Sequence, residues 1–155
     1  MSGRAGPPPL RAGDHPFLHG LDAAFVERIA HGAREVAYDP GDMLFREGEG
    51  AERFYLVFQG KVALEIETPE RPRLTIQTVG PGDVVGWSWL FAPHRWRFDA
   101  RAVKATRVLA LEAPTVRAAL DAHPIEGYRF LLRLLPVLGE RLEMARLQIL
   151  DIHGG

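Results

Sequence analysis

The stretch from Tyr38 to Leu64, YDPGDMLFREGEGAERFYLVFQGKVAL, decides the fold together with VGPGDVVGW at residues 79–87. Each apolar run in it is short and closed by a glycine turn. Met43 to Phe45 run into Glu47-Gly48-Glu49-Gly50, and Phe54 to Phe58 run into Gln59-Gly60. Val62, Leu64 and Ile66 then alternate with Lys61, Ala63, Glu65 and Glu67. A period of two marks a strand with one face toward a core. Upstream, Val36 and Tyr38 stop at Pro40-Gly41-Asp42. Downstream, Leu74, Ile76 and Val79 stop at Gly80-Pro81-Gly82-Asp83, and Val103 to Leu111 end the series with VLAL. Short strands at this interval predict an antiparallel sandwich or barrel over about residues 34–112.

Outside the strands the period changes to that of a helix. Phe17, Leu18, Leu21, Phe25, Val26 and Ile29 recur at helical spacing, with Pro16 suited to a first turn and Asp22 to a cap. One or two short helices are expected, ending near His31-Gly32. Residues 1–14, MSGRAGPPPLRAGD, are rich in Gly and Pro and are expected to form a mobile tail, with the domain beginning at residue 15. Thr115 to Ala122 predicts a short amphipathic helix, and Ile125 to Ile152 a long one. The fold class is therefore mainly β with flanking helices.

The long helix carries Leu131, Leu135, Leu138, Leu142, Ala145, Ile149 and Ile152. Their gaps alternate between four and three, which is the heptad a/d pattern of a two-stranded coiled coil. The stripe predicts a homodimer through this helix. Leu134, Val137, Leu147 and Leu150 widen the stripe enough to cover the strands as well. Pro136 falls inside the pattern and predicts a kink or a break, because it offers no N–H to the carbonyl of Leu132.

Composition narrows the function classes. The 155 residues include no cysteine, which excludes disulfides, thiolate metal sites and cysteine nucleophiles. With 19 basic and 20 acidic residues the net charge is −1, so direct binding to DNA is not expected. No apolar run is long enough to span a membrane and no signal peptide is visible, so a cytoplasmic location is expected. The six histidines, at 15, 19, 31, 94, 123 and 153, form no H-x-H pair, so a cupin-type metal site is not supported and no metal is expected. Ser88, His94 and Asp99 lie close in sequence, but nothing arranges them as nucleophile, base and orienting group, and no enzyme activity is expected.

The glycines at 41, 48, 60, 82 and 86, the run FYLVF, and the helices on both flanks resemble a cyclic-nucleotide-binding domain of the catabolite-activator/Fnr type over about residues 16–150, which implies an antiparallel β-roll or jelly roll. In that family a Gly-Glu pair opens a short helix. Its amides and a downstream Arg-Ser/Thr hold the cyclic phosphate, and the Glu takes a ribose hydroxyl. Here the corresponding stretch reads Gly86-Trp87-Ser88-Trp89-Leu90-Phe91, then Arg95-Trp96-Arg97-Phe98-Asp99-Ala100. The resemblance thus implies a ligand pocket at Gly86, Trp87, Ser88, Trp89, Arg97 and Phe98. Trp87 stands at the Glu position. A gapless alignment puts Arg97 at the phosphate Arg with Phe98 after it, whereas a one-residue gap puts Trp96 there. Cyclic nucleotide is accordingly disfavoured as a ligand and no cofactor is expected. The tryptophans either line a pocket for a flat ligand or fill it. Arg95, Arg97, Arg101, Lys104 and Arg107 form either an anion-binding stripe or the solvated face of a strand.

Family activators continue from the long helix into a winged helix-turn-helix, whereas this sequence stops at Asp151-Ile152-His153-Gly154-Gly155. The resemblance implies the sensor half without the DNA-reading half. The expected function is a homodimeric regulatory module that binds a ligand or a partner protein. The alternative is a transcription regulator that still binds cyclic nucleotide and acts through a DNA-binding partner.

Overall fold

Eight strands, β1 (Arg34–Tyr38), β2 (Met43–Phe45), β3 (Arg53–Gln59), β4 (Val62–Ile66), β5 (Leu74–Val79), β6 (Val84–Val85), β7 (Asp99–Ala102) and β8 (Thr106–Glu112), pair into two four-stranded sheets. The computed structural model describes residues 7–153, apart from the side chains of 144, 145 and 148–153. One sheet has the order β1-β8-β3-β6 and the other β2-β7-β4-β5, with all pairings antiparallel. Leu56, Val57, Val62, Leu64, Val85 and Leu111 are among the residues sealed in the core.

The strand β4 departs from simple alternation. Glu65 is only 3% exposed, although the pattern assigned it to solvent. It stays buried because Arg101 of β7 meets it with both Nε (3.2 Å) and Nη2 (2.6 Å), a fork that satisfies both carboxylate oxygens. Gly60 sits at the turn before β4 with φ of +100°, and a Cβ there would collide with Thr106 and the Ala105 carbonyl. Only glycine fits that turn.

The helices α1 (Ala23–Ile29), α2 (Ala113–Ala122) and α3 (Pro124–His153) flank the roll. Asp22 caps α1 by accepting from the Phe25 amide at 3.1 Å, and Glu126 of α3 accepts from the Asp22 amide at 3.2 Å. Such a cap contributes about 1 kcal/mol. Phe130 of α3 packs edge-on against Phe17 (5.3 Å), Phe54 (5.9 Å) and Trp89 (6.1 Å), which joins the N-terminal segment, β3 and α3 in one aromatic cluster. The side chain of Arg133 adds a bond to the Phe17 carbonyl at 2.8 Å.

One expectation about the ends needs correction and another is narrowed. The ordered chain starts earlier than residue 15. Ala12–Asp14 form a 3-10 turn with Ala12 buried, the Leu10 amide donates to Glu35 at 3.0 Å, and Arg107 donates to the Pro8 carbonyl at 3.2 Å. Residues 1–6 of the expected tail lie outside the described residues. At the other end, α3 continues through Pro136 without a break. Leu132, whose carbonyl loses its helical donor, is about half exposed, so solvent can take the missing partner's place.

Candidate functional site

The cassette segment between β6 and β7 folds as a series of turns. From Gly86 to Phe98 no helix forms, so no row of free helix-terminal amides is presented. Gly86 itself has φ of +83°, and a Cβ on it would fall on the indole of Trp96. That indole is buried and stacks on Phe45.

The sequence-predicted site residues separate. Trp87 and Phe98 meet, 5.9 Å between ring centroids, and both line a cavity of 340 Å³. Trp89 turns into the core instead, with its Nε1 donating to the Gly86 carbonyl at 3.2 Å and its ring 4.8 Å from Phe54. Ser88 is buried and does not line the cavity. Arg97 is exposed: in the extended approach to β7, parity sends Trp96 and Phe98 inward and Arg97 to solvent.

The remaining walls were not singled out from sequence. Leu64 of β4 and Ile76 and Gln77 of β5 form the sheet side. Leu138, Arg141 and Leu142 of α3 close the opposite side. Leu138, expected in a dimer seam, is also partly buried against the roll, whereas Leu142 stands at the rim of the cavity and is 72% exposed. Leu131 and Leu135 stay exposed, and Ala145, Ile149 and Ile152 lie outside the described side chains.

Arg141 is 6% exposed. One guanidinium nitrogen, Nη2, donates to the carbonyl of Val84, the residue two before Gly86. Nε and Nη1 have no partner among the described residues, and neither has Gln77 Oε1. The guanidinium carbon lies 5.1 Å from the centre of the Trp87 ring, a cation–π arrangement. Burial pulls the guanidinium down to about 10, against the opposing charges of Asp83 and Glu140, so it remains a cation at neutral pH. An apolar cavity with one under-satisfied cation in its wall is suited to bind and orient an anion.

The basic stripe is not one site. Arg101 is committed to Glu65, Arg107 to Glu35 at 2.5 Å, and Arg95 to the Gly48 carbonyl at 2.9 Å. Nor is a catalytic constellation assembled around Asp99, whose carboxylate accepts from the Glu47 amide at 2.8 Å. Among the described residues no cluster of His, Asp and Glu could hold a metal ion, and no helix is long and apolar enough to cross a membrane.

Comparison with known proteins gives this architecture its place. The chain is similar to the CRP-like cAMP-activated global transcriptional regulator of Mycobacterium tuberculosis, 23% identical over 88% of this chain and 59% of that protein. It is also similar to the cyclic AMP receptor protein of Thermus thermophilus, 28% identical over 86% of this chain and 60% of that protein. The chain thus spans about 60% of the length of these curated relatives. A crystal structure of a cyclic nucleotide-binding domain from Methylobacillus flagellatus shares the fold, with a TM-score of 0.75 at 21% identity over 90% of this chain and 82% of that one. The cyclic nucleotide-binding domain model matches residues 35–123, which contain all eight strands but the first residue of β1, together with α2. On that match, which takes in more than half of its residues, the chain belongs to the cyclic nucleotide-binding domain family.

Proposed function

We propose that this chain is a non-catalytic, homodimeric sensor module whose pocket has been reshaped away from cyclic nucleotides, and that it acts by binding another ligand or a partner protein in the cytoplasm. The observation that carries this reading is the position of the three aromatic side chains. Trp96 is packed under Gly86, and Trp87 and Phe98 occupy the wall where the family places a carboxylate and a phosphate-binding hydroxyl. Arg97 faces solvent, and no helix N-terminus follows Gly86. The residues present do not fit a cyclic phosphate. Losing a charge-assisted bond to the ribose costs about 1.5–3 kcal/mol, and losing the phosphate contacts costs more.

The dimer is supported by α3. Ile125, Tyr128, Leu131, Leu132 and Leu135 are large, exposed and apolar along one helix. Each such side chain buried against a second copy would contribute about 1.5–3 kcal/mol.

Calorimetric titration with cyclic AMP and cyclic GMP tests the pocket reading. Dissociation constants above about 100 μM are expected. Micromolar binding would overturn it and favour the second reading, a cyclic-nucleotide-responsive transcription regulator working through a DNA-binding partner. That reading is supported by the Mycobacterium tuberculosis relative, a CRP-like cAMP-activated transcriptional regulator.

A further inference from the structure

We infer that the cavity between β5, Trp87 and α3 binds a small, largely apolar monocarboxylate, with its carboxylate on Arg141 and a donor group directed to Gln77. The inference rests on the reading of this chain as a ligand-sensing module and names the class of ligand.

Three features point to that chemistry. The first is charge. Arg141 is buried, yet two of its three nitrogens are unpartnered among the described residues. A buried cation without its counter-charge is costly, and an anion arriving within hydrogen-bond reach removes that cost. Nε and Nη1 lie on different edges of the guanidinium, so a carboxylate takes one of them together with the second N–H of Nη2, a parallel pair that matches its two oxygens. The second is shape. The cavity measures 340 Å³, near the lower end of the range of about 300–1,000 Å³ for small-molecule sites. Its walls are Leu64, Ile76, Trp87, Phe98, Leu138 and Leu142, so the body of the ligand must be apolar. The third is polarity at the other wall, where Gln77 Oε1 is a buried acceptor with no donor. Beside Arg141 the lining offers only Gln77 as a polar partner, too few for the hydroxyls of a ribose, which favours a monoanion with an apolar body over a cyclic nucleotide.

The anion in this arrangement is held from the long helix and not from the cassette. Arg141 already ties α3 to the Val84 carbonyl, so a ligand bound there contacts α3 and the roll together.

The test is calorimetry with benzoate, 4-hydroxybenzoate, 2-naphthoate and octanoate, each against its own carboxamide, on wild type and Arg141→Met. At least one acid is expected to bind ten or more times tighter than its amide to wild type. In Arg141→Met that ratio should fall to about one while the amide affinity is kept. Arg141→Met should fold, because a thioether replaces an under-satisfied charge; if it does not, the acid-to-amide ratio of wild type decides alone. The inference is overturned if no acid outbinds its amide, or if the preference survives in Arg141→Met. Binding of cyclic AMP with no carboxylate bound would sink this inference and leave a sensor standing. Failure of every probe, cyclic nucleotides included, would sink this inference and leave the proposed module acting through a partner protein.

Discussion

The indole of Trp96 lies on the ring of Phe45, 3.7 Å between centroids and 6° from parallel. Gly86 approaches that indole so closely that it has no room for a Cβ, and its φ of +83° disfavours any other residue. Gly86→Ala must displace the stack and strain the backbone. Left-handed strain and overpacking together predict a loss of about 2–4 kcal/mol in urea denaturation. Gly80→Ala is the control: its φ is not positive and the nearest atom to a Cβ would be 3.6 Å away. Equal effects at the two glycines would refute the close approach.

His15 predicts a pH dependence. Its ring is fully buried, with Nε2 2.8 Å from the Val57 carbonyl and Nδ1 accepting from the Phe17 amide at 3.2 Å. Both bonds suit the neutral ring protonated on Nε2. A second proton on Nδ1 would face another N–H. Desolvation holds the pKa below the ordinary 6.5, despite opposing bonds to the Val57 and Asp83 backbone. The unfolded chain therefore takes up a proton first as pH falls. The contribution is fully present above about 6.5 and is lost as pH drops toward the folded value. Wild type should lose more stability than His15→Gln between pH of about 7.5 and 5.5. Parallel losses would show that His15 is not the titrating group.

The pair Glu65–Arg101 gives a double-mutant test. Glu65→Gln leaves Arg101 facing a neutral partner in a mostly closed site, with side-chain exposures of 3% and 24%. A loss of about 2–3 kcal/mol is expected, below the full value for a sealed pair because Arg101 keeps some solvent. Glu65→Leu with Arg101→Met should recover most of it. Additive losses would mean that the two side chains do not act as a unit.

The dimer is best probed away from the cavity. Leu138 and Leu142 line it, so Asp at either position would disturb two things at once. Leu131→Asp with Leu135→Asp touches only the exposed stripe. Light scattering should give a dimer for wild type and a monomer for the double variant, with the circular dichroism spectrum kept. A monomeric wild type refutes the dimer.

Most of the roll was legible because glycine turns punctuate its strands and side-chain parity marks its core. β7 was only faintly marked, since Ala100 and Ala102 are its sole apolar residues, and it holds its place through pairing with β4 and β2. Trp87 and Phe98 could be nominated from the cassette, but parity alone decided between Trp96 and Arg97, and a one-residue gap inverts parity. Arg141 could not be nominated. A heptad shows which residues are apolar, not which flank of the helix rests on the sheet, and a charged residue beside Leu142 reads as solvated. The buried role of His15 was hidden for the same reason, because its partners are Val57 and Phe58, far along the chain.

The strand β8 is the last of the eight in sequence and lies between β1 and β3 in its sheet. During synthesis β1 waits for its lateral partner until Thr106–Glu112 emerge, because among the described residues only β8 pairs with it. The hairpin of β4 and β5 can close locally, whereas the sheet built on β8 closes only across long loops, which is slow. A nascent chain cut short before Glu112 therefore carries open strand edges and an unroofed core, the features that recruit chaperones or drive aggregation. Solubility along a series of ribosome-released fragments should rise abruptly once β8 is included, and not gradually with length.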